Sequence, residues 1–278
     1  MITTLDTNTF NRIRDYVYEH AGILINAEKN SMVVSRLWRR LEKLGMRDFE
    51  QYLALVTSPK GVEERVHMLD QLTTNETYFF REPAHFNRLQ HQILPSLPRR
   101  PLRVWCGAAS TGEEPYSLAM VLQEALGNRP WELLATDLST KVLEQARRGI
   151  YRLERLEQMP AGYLKRYCRR GVEKYEGMMM IDADLRGRVE FRQHNLLQPL
   201  DDNGGGFDVV FLRNVLIYFD QPTKQRVLDH IVQQLRPGGW LITGHCDSLM
   251  GVRLPLQQIT PSVFVCAPAQ PHQQKRPA

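Results

Sequence analysis

A glycine loop at Gly107–Gly112, reading Gly-Ala-Ala-Ser-Thr-Gly, constrains this chain more than any other feature. It follows an apolar run, Leu102 to Cys106, and precedes a helix-compatible stretch, Tyr116 to Leu126. Strand, glycine turn and helix in that order build an open parallel α/β sheet, whose ligand crevice lies at such turns. The glycines have the spacing of a phosphate-binding P-loop, but Glu113-Glu114 stand where lysine and a hydroxyl residue belong. An acidic pair there repels a nucleotide's phosphates and suits a nucleoside with positive charge, such as S-adenosylmethionine with its sulfonium and amino groups. The competing reading is that the two acids merely start a helix, where the dipole favours them. Taken alone, the loop is as compatible with one reading as with the other.

The alternation continues downstream of the loop. Leu133–Thr136, Val189–Arg192, Val209–Leu212 and Leu241–Thr243 read as strands, with Ser262–Cys266 as a final one. Helices are expected at Lys141–Arg148 and Gln225–Leu235, the latter closed by Pro237-Gly238-Gly239. Strands alternating with helices indicate a parallel sheet with crossover helices. One interval breaks the rhythm: Gly149 to Arg188 stand where about 2 to 6 loop residues are usual. With Gly171 and Gly177 around a polar stretch and the apolar run Met178–Ile181, it is expected to form a small antiparallel hairpin or three-stranded sheet. Its plain role is a lid; its sharper one is an edge strand that captures a peptide.

The front of the chain reads as short amphipathic helices without a strand signal. Phe10, Ile13 and Val17 share one face and stop near Gly22; Val33, Leu37, Leu41 and Leu44 form the next stripe, ended by Gly45. Asp48 with Gln51 resembles a capping box, and Val62, Val66, Leu69 and Leu72 mark a fourth helix. At about 100° per residue, Arg36, Arg39, Arg40 and Lys43 fall within one arc of the second helix and Glu42 falls outside it. This basic strip, without internal neutralisation, is either a solvated face or a docking surface for an acidic helix. Pro83 opens a further helix carrying Phe86, Leu89 and Ile93, with a stop at Pro95. The resulting division is residues 1–82 as a helical domain, 83–101 as a linker helix and loop, and 102–278 as the sheet domain with its 149–188 insertion. The tail from Ala267, rich in Gln and Pro, is expected to be disordered.

Composition narrows the class. Over 278 residues, 42% are hydrophobic, enough for a sizeable core, and no run approaches a membrane span of about 18 apolar residues. The polar opening, Met1 to Asn8, lacks the regions of a signal peptide, so a cytoplasmic location is expected. Cys106, Cys168, Cys246 and Cys266 contain no CxxC pair, so neither a zinc knuckle nor a disulfide framework is indicated, and no metal site is expected. A net charge of +5 fits an acidic partner of any kind.

If the loop binds a nucleoside, a carboxylate is required at the end of the second strand for the ribose hydroxyls, and Asp137 stands there. As an alternative, Asp137 caps the helix that begins near Ser139. Asn195, after the third strand, can reach an adenine edge or serve as a turn residue. The fourth strand ends in Arg213-Asn214-Val215-Leu216-Ile217-Tyr218-Phe219, without the Pro-Pro of base amino-methyltransferases. The polar and aromatic loop Thr73–Glu82 sits at the domain junction, a usual place for a site.

Together, Asn75-Glu76-Thr77-Tyr78-Phe79-Phe80-Arg81-Glu82, Ala109 to Ser117, Arg213 to Phe219 and Gly244-His245 resemble the chemotaxis receptor methyltransferases, the CheR family, over nearly the whole chain. The resemblance implies a Rossmann-like α/β sheet domain, a small all-helical N-terminal domain and an inserted antiparallel β-subdomain. It implies S-adenosylmethionine-dependent methylation of glutamate side chains on chemoreceptor cytoplasmic helices, with S-adenosylhomocysteine as product. Asn75, Thr77 and Arg81 would hold the cofactor's amino acid end with Glu113 and Glu114, Asp137 the ribose, and Asn195, Leu196, Arg213 and Asn214 the adenosine and nearby wall. Arg81 and Tyr218 match the catalytic positions. The strip Arg36, Arg39, Arg40 and Lys43 gains an acidic receptor helix as its target, and the β-subdomain resembles the part that binds a receptor's C-terminal pentapeptide in some members. A monomer recruited to receptor clusters, with no nucleic acid partner, is expected. The rival readings are a methyltransferase acting on RNA and a scaffold that binds the cofactor without turnover.

Overall fold

The computed structural model describes residues 4–267 except Thr74 and Asn203. The expectation for the tail beyond Ala267 therefore lies outside the described residues.

Four helices form the front of the molecule: α1 (Thr7–Ala21), α2 (Asn30–Lys43), α3 (Phe49–Thr57) and α4 (Val62–Leu72). Each end has a chemical cause. Asp6 and Asp48 accept the backbone N–H groups of Thr9 and Gln51, while Gly22, at φ 70°, closes α1 in the left-handed region. Ile13, Val17, Val33, Leu37, Leu41 and Tyr52 meet in a separate apolar core. The fourth stripe departs from the expected one. Leu72 is buried as expected, but Val62 is 60% exposed, and α4 buries Glu64 and Met68 in addition. Glu64 turns inward because Arg40 and the Tyr52 hydroxyl, the latter at 2.9 Å, await its carboxylate.

After α5 (Pro83–Arg88) the helix does not stop at Pro95. It passes through a π-helical turn, Leu89–Ile93, into Leu94–Ser96, with the Leu94 N–H bonded to the Leu89 carbonyl. Widening the turn before Pro95 accommodates a residue that has no N–H to donate.

The sheet has the order β6-β2-β1-β7-β8-β10-β9. Its strands are β1 (Leu102–Gly107), β2 (Trp131–Asp137), β6 (Val189–Gln193), β7 (Phe207–Leu212), β8 (Leu235–Thr243), β9 (Leu256–Thr260) and β10 (Val263–Cys266). The first five are parallel, and at one edge β10 runs antiparallel to both of its neighbours, β8 and β9. Side chains alternate between two covered faces: Val104 and Cys106 of β1 enter one core, and Trp105 enters the other. Strand β9 carries no expectation from the sequence, since its two-glutamine run, Leu256-Gln257-Gln258, interrupts the apolar signal.

The insertion folds as a three-stranded antiparallel sheet, β3 (Ile150–Arg152), β5 (Met178–Ile181) and β4 (Cys168–Arg170), with β5 in the centre. Among the described residues no helix is long and apolar enough to cross a membrane.

Candidate active site

Strand order reverses between β1 and β7, because the chain runs outward through β2 and β6 before returning to the other side of β1. Ligands of open α/β sheets bind at such a switch point, beyond the carboxyl ends of the strands. A cleft opens there. Its floor includes Ala108, Ser110 and Glu114 after β1, Asp137 at the end of β2, His194 to Leu196 after β6, and Arg213 and Asn214 after β7. Asn75, Thr77 and Arg81 supply one wall and Tyr218 another, while Ile23 to Asn26, Lys29 and Met32 of the helical front close the outside. The cleft thus brings together every cofactor and catalytic residue expected from the sequence except Glu113.

Glu113 is fully buried and points elsewhere. Its carboxylate accepts the Thr111 hydroxyl at 2.6 Å and Arg155 of the inserted segment at 2.8 Å. Glu113 and Glu114 open the helix Glu113–Leu126, as the plain reading also held, and neighbours in a helix point about 100° apart. Only one of the two can face the cleft. Arg155 also reaches the Thr77 carbonyl, at 3.3 Å, so the insertion latches the loop that forms the cleft wall.

The remaining acid, Glu114, is neutralised from within. Arg213, whose side chain is inaccessible to solvent, places Nη1 2.5 Å from Glu114 Oε2 and Nη2 3.1 Å from Glu82 Oε2. Arg213 also donates to the Arg81 carbonyl. Burial disfavours its charge, but Glu114 and Glu82 outweigh burial and raise its pKa. For Glu114 the balance differs: burial dominates over Arg213 and raises the carboxyl's pKa.

Asp137 is 9% exposed and accepts the backbone N–H groups of Ser110, at 2.8 Å, and Ser139, at 2.9 Å. It therefore ties the glycine loop to the second strand, while Ser139 is the residue that caps the helix Thr140–Arg148. A carboxylate offers about four acceptor positions, so two remain for ribose hydroxyls. Burial raises its pKa against the effect of the two N–H donors. Asn195 is more fully committed. Its amide donates to the His20 carbonyl at 2.7 Å and its oxygen accepts Leu197 N–H at 3.0 Å. It is a turn residue that also joins the helical front to the sheet, although it lines the cleft.

Backbone strain concentrates around this cleft. Phe80, Glu82, Ala108, Ser110 and Asn214 all have left-handed φ angles, between 49° and 58°. Non-glycine residues in that region cost of the order of 1–3 kcal/mol each and cluster where geometry serves function. Gly112, at φ 99°, has no room for a side chain: a Cβ would lie 2.6 Å from the Tyr151 hydroxyl and 2.8 Å from Ala146 Cβ.

Three further contributors carry little or no signal in the sequence. Asp247, 4% exposed, accepts Asn214 N–H at 2.5 Å, Gly244 N–H at 2.9 Å and Ile217 N–H at 3.3 Å, which fixes the segment that carries Tyr218. His194 lines the floor and lies against Trp105 with ring centroids 6.0 Å apart. The outer wall joins the sheet domain through backbone pairing, Leu24 N–H to the Tyr218 carbonyl at 2.9 Å and Ile23 against Phe219. The apolar run Ile23-Leu24-Ile25 after Gly22 is the only hint of that pairing, and it is too short to read as a strand.

The basic strip on α2 is not uniform, contrary to its expected lack of neutralisation. Arg40 forms a two-pronged pair with Glu64, Nε to Oε1 at 2.9 Å and Nη2 to Oε2 at 2.6 Å. Arg36 donates to the carbonyls of Leu72 and Thr73, both at 3.0 Å, at the end of α4. Arg39 and Lys43 are exposed. Residues on a neighbouring helix, out of reach of any single-helix projection, consume half of the strip.

Residues 75–265 match the family model described as CheR methyltransferase, SAM binding domain, and residues 8–73 match that described as CheR methyltransferase, all-alpha domain. The chain is 44% identical over 244 residues to a chemotaxis protein methyltransferase of Escherichia coli K12, covering 86% of this chain and 84% of that protein. It is also 44% identical over 244 residues to chemotaxis protein methyltransferase 2 of Pseudomonas aeruginosa PAO1, covering 87% and 86%. A chemotaxis protein methyltransferase of Borreliella burgdorferi is 32% identical over 265 residues, covering 91% and 92%. The fold and cleft define a methyltransferase that uses S-adenosylmethionine. The chain belongs to the CheR methyltransferase family.

Proposed function

We propose that this methyltransferase esterifies glutamate side chains on the cytoplasmic helices of chemoreceptors, giving glutamate 5-O-methyl ester and S-adenosylhomocysteine, in adaptation of chemotaxis signalling. The observation that carries the reading is that Arg81 and Tyr218 line the same cleft as Glu114, Asp137 and Asn214. A guanidinium and a phenol are suited to orient a carboxylate, and a carboxylate needs no general base, being ionised at neutral pH. When bound, the cofactor supplies an electrophilic methyl group, which a carboxylate oxygen takes as the sulfonium becomes a neutral thioether. The residues have only to hold and desolvate the reactants, and orientation of this kind supplies about 7–11 kcal/mol in well-ordered model reactions.

Asp137 retains acceptor positions for ribose hydroxyls, and Asn75, Thr77 and Glu114 stand where the amino acid end would be held. Glu114 faces that end from within its pair with Arg213. Arg39 and Lys43 are the surface cations of α2 suited to an acidic receptor helix, whereas Arg36 and Arg40 support them structurally. In the inserted sheet, β3 and β4 each pair with one neighbour, which leaves edges on which a receptor's C-terminal pentapeptide can add as a strand. Recruitment to receptor clusters follows from those two contacts. With a receptor cytoplasmic fragment as acceptor, Arg81→Ala and Tyr218→Phe should each lower turnover at saturating cofactor; undiminished turnover in both would remove the proposed chemistry.

A further inference from the structure

Glu82, His85 and His245 converge behind the Arg81 loop, and one ligand atom from each lies within 4.8 Å of the others. Glu82 Oε2 is 3.3 Å from His85 Nδ1 and 3.9 Å from His245 Nδ1. The two imidazoles meet edge to face with centroids 4.7 Å apart. His85 is 3% exposed; its Nε2 lies 2.7 Å from Ser262 Oγ, but its Nδ1 makes no hydrogen bond. A buried nitrogen without a partner is costly and calls for an explanation. With Nε2–H donated to Ser262, the Nδ1 lone pair faces a carboxylate oxygen, and two acceptors confront each other. The opposite tautomer would point Nδ1–H at Glu82, yet no hydrogen bond forms there.

We propose that Glu82, His85 and His245 bind a divalent first-row transition metal ion, Zn2+, with Ser262 orienting His85. Two imidazoles and a carboxylate are a ligand set suited to zinc, and a serine on the far nitrogen of a ligating histidine fixes its tautomer and ring direction. Zinc bonds of about 2.0–2.2 Å set tetrahedral donors about 3.4 Å apart. The Glu82–His85 separation already has that value, and His245, with 57% of its side chain exposed, has the freedom to close the rest. Arg213 competes, because its Nη2 lies 3.1 Å from the same Glu82 oxygen. Its donors are divided, however, between Glu82 and Glu114, the latter at 2.5 Å, so one guanidinium serves two carboxylates. None of the three proposed ligands lines the cofactor cleft.

The test is competition for Zn2+ between the chelator-stripped full-length protein and a chromophoric chelator, with folding checked by circular dichroism. The wild type should take up one equivalent. His245→Gln should bind at least about 10-fold more weakly, Ser262→Ala about 10-fold more weakly, and Cys246→Ser with unchanged affinity. No uptake by the wild type, or equal uptake by His245→Gln, would overturn the site. Loss in Cys246→Ser would likewise overturn it by assigning the ion to the exposed thiol beside His245, and unchanged affinity in Ser262→Ala would overturn the orienting role.

Discussion

Arg213 and Glu114 are held 2.5 Å apart at the back of the cleft, and this pair changes what the acidic glycine loop means. The loop does not offer two free carboxylates to a cation. Arg155 takes Glu113 on the side of the insertion, and Glu114 shares Arg213 with Glu82. A positive ligand reaching Glu114 would therefore have to compete with a buried guanidinium.

Removal of Arg213 should be expensive. Arg213→Met leaves Glu82 and Glu114 without their counter-charge, and breaking a buried pair in this way costs about 3–5 kcal/mol. Urea unfolding should show that loss in the single variant and a smaller one in Arg213→Met combined with Glu114→Gln. Costs that simply add would show that the two residues are not coupled.

Asp247 should act on turnover through Tyr218. Its carboxylate gathers the N–H groups of Asn214, Ile217 and Gly244, so Asp247→Ala releases the segment one residue before Tyr218. A displacement of about 1 Å at a reacting group costs of the order of 100-fold in rate. The kcat for receptor methylation should therefore fall by about 10- to 100-fold, while S-adenosylhomocysteine affinity, measured by calorimetry, changes by less than about 5-fold. Equal losses in both would make Asp247 a general scaffold residue.

Glu64 gives the helical front a pH dependence. Burial alone would raise its pKa, but the hydrogen bonds from Arg40 and Tyr52 outweigh it and hold the carboxyl below its usual 4.5. A carboxyl with a depressed folded-state pKa contributes stability above its unfolded value and loses it as pH falls through the folded value. The wild type should exceed Glu64→Gln by about 1–3 kcal/mol at pH 7, with the difference shrinking below pH about 4.5 in thermal unfolding scans. A difference independent of pH would assign the effect to packing.

The sheet and the glycine loop were legible because strand runs such as Val209–Leu212 are short, apolar and bounded by glycine or polar residues, and the insertion showed itself as an interval too long for a turn. Position at the end of the second strand was enough to place Asp137 at the cleft, whereas Arg81 came from the family motif. What escaped depends on pairs distant in sequence. Nothing around Glu64 announces that Arg40, 24 residues away, draws it inward. Likewise, Asp247 is an ordinary turn residue until Asn214, 33 positions earlier, is placed against it. Helix projection also overstated the basic strip, because it describes one helix without its neighbours, and it could not tell which of two adjacent acids faces the ligand.

The central claim is that the cleft between Arg81 and Tyr218 makes a carboxyl ester. Receptor-containing membranes should be incubated with this protein and methyl-labelled S-adenosylmethionine, and the labelled product then treated with mild alkali. Release of the label as methanol, lost in Arg81→Ala, is the predicted result. Label that stays on the acceptor after alkali, or that enters RNA and not receptor, would contradict it.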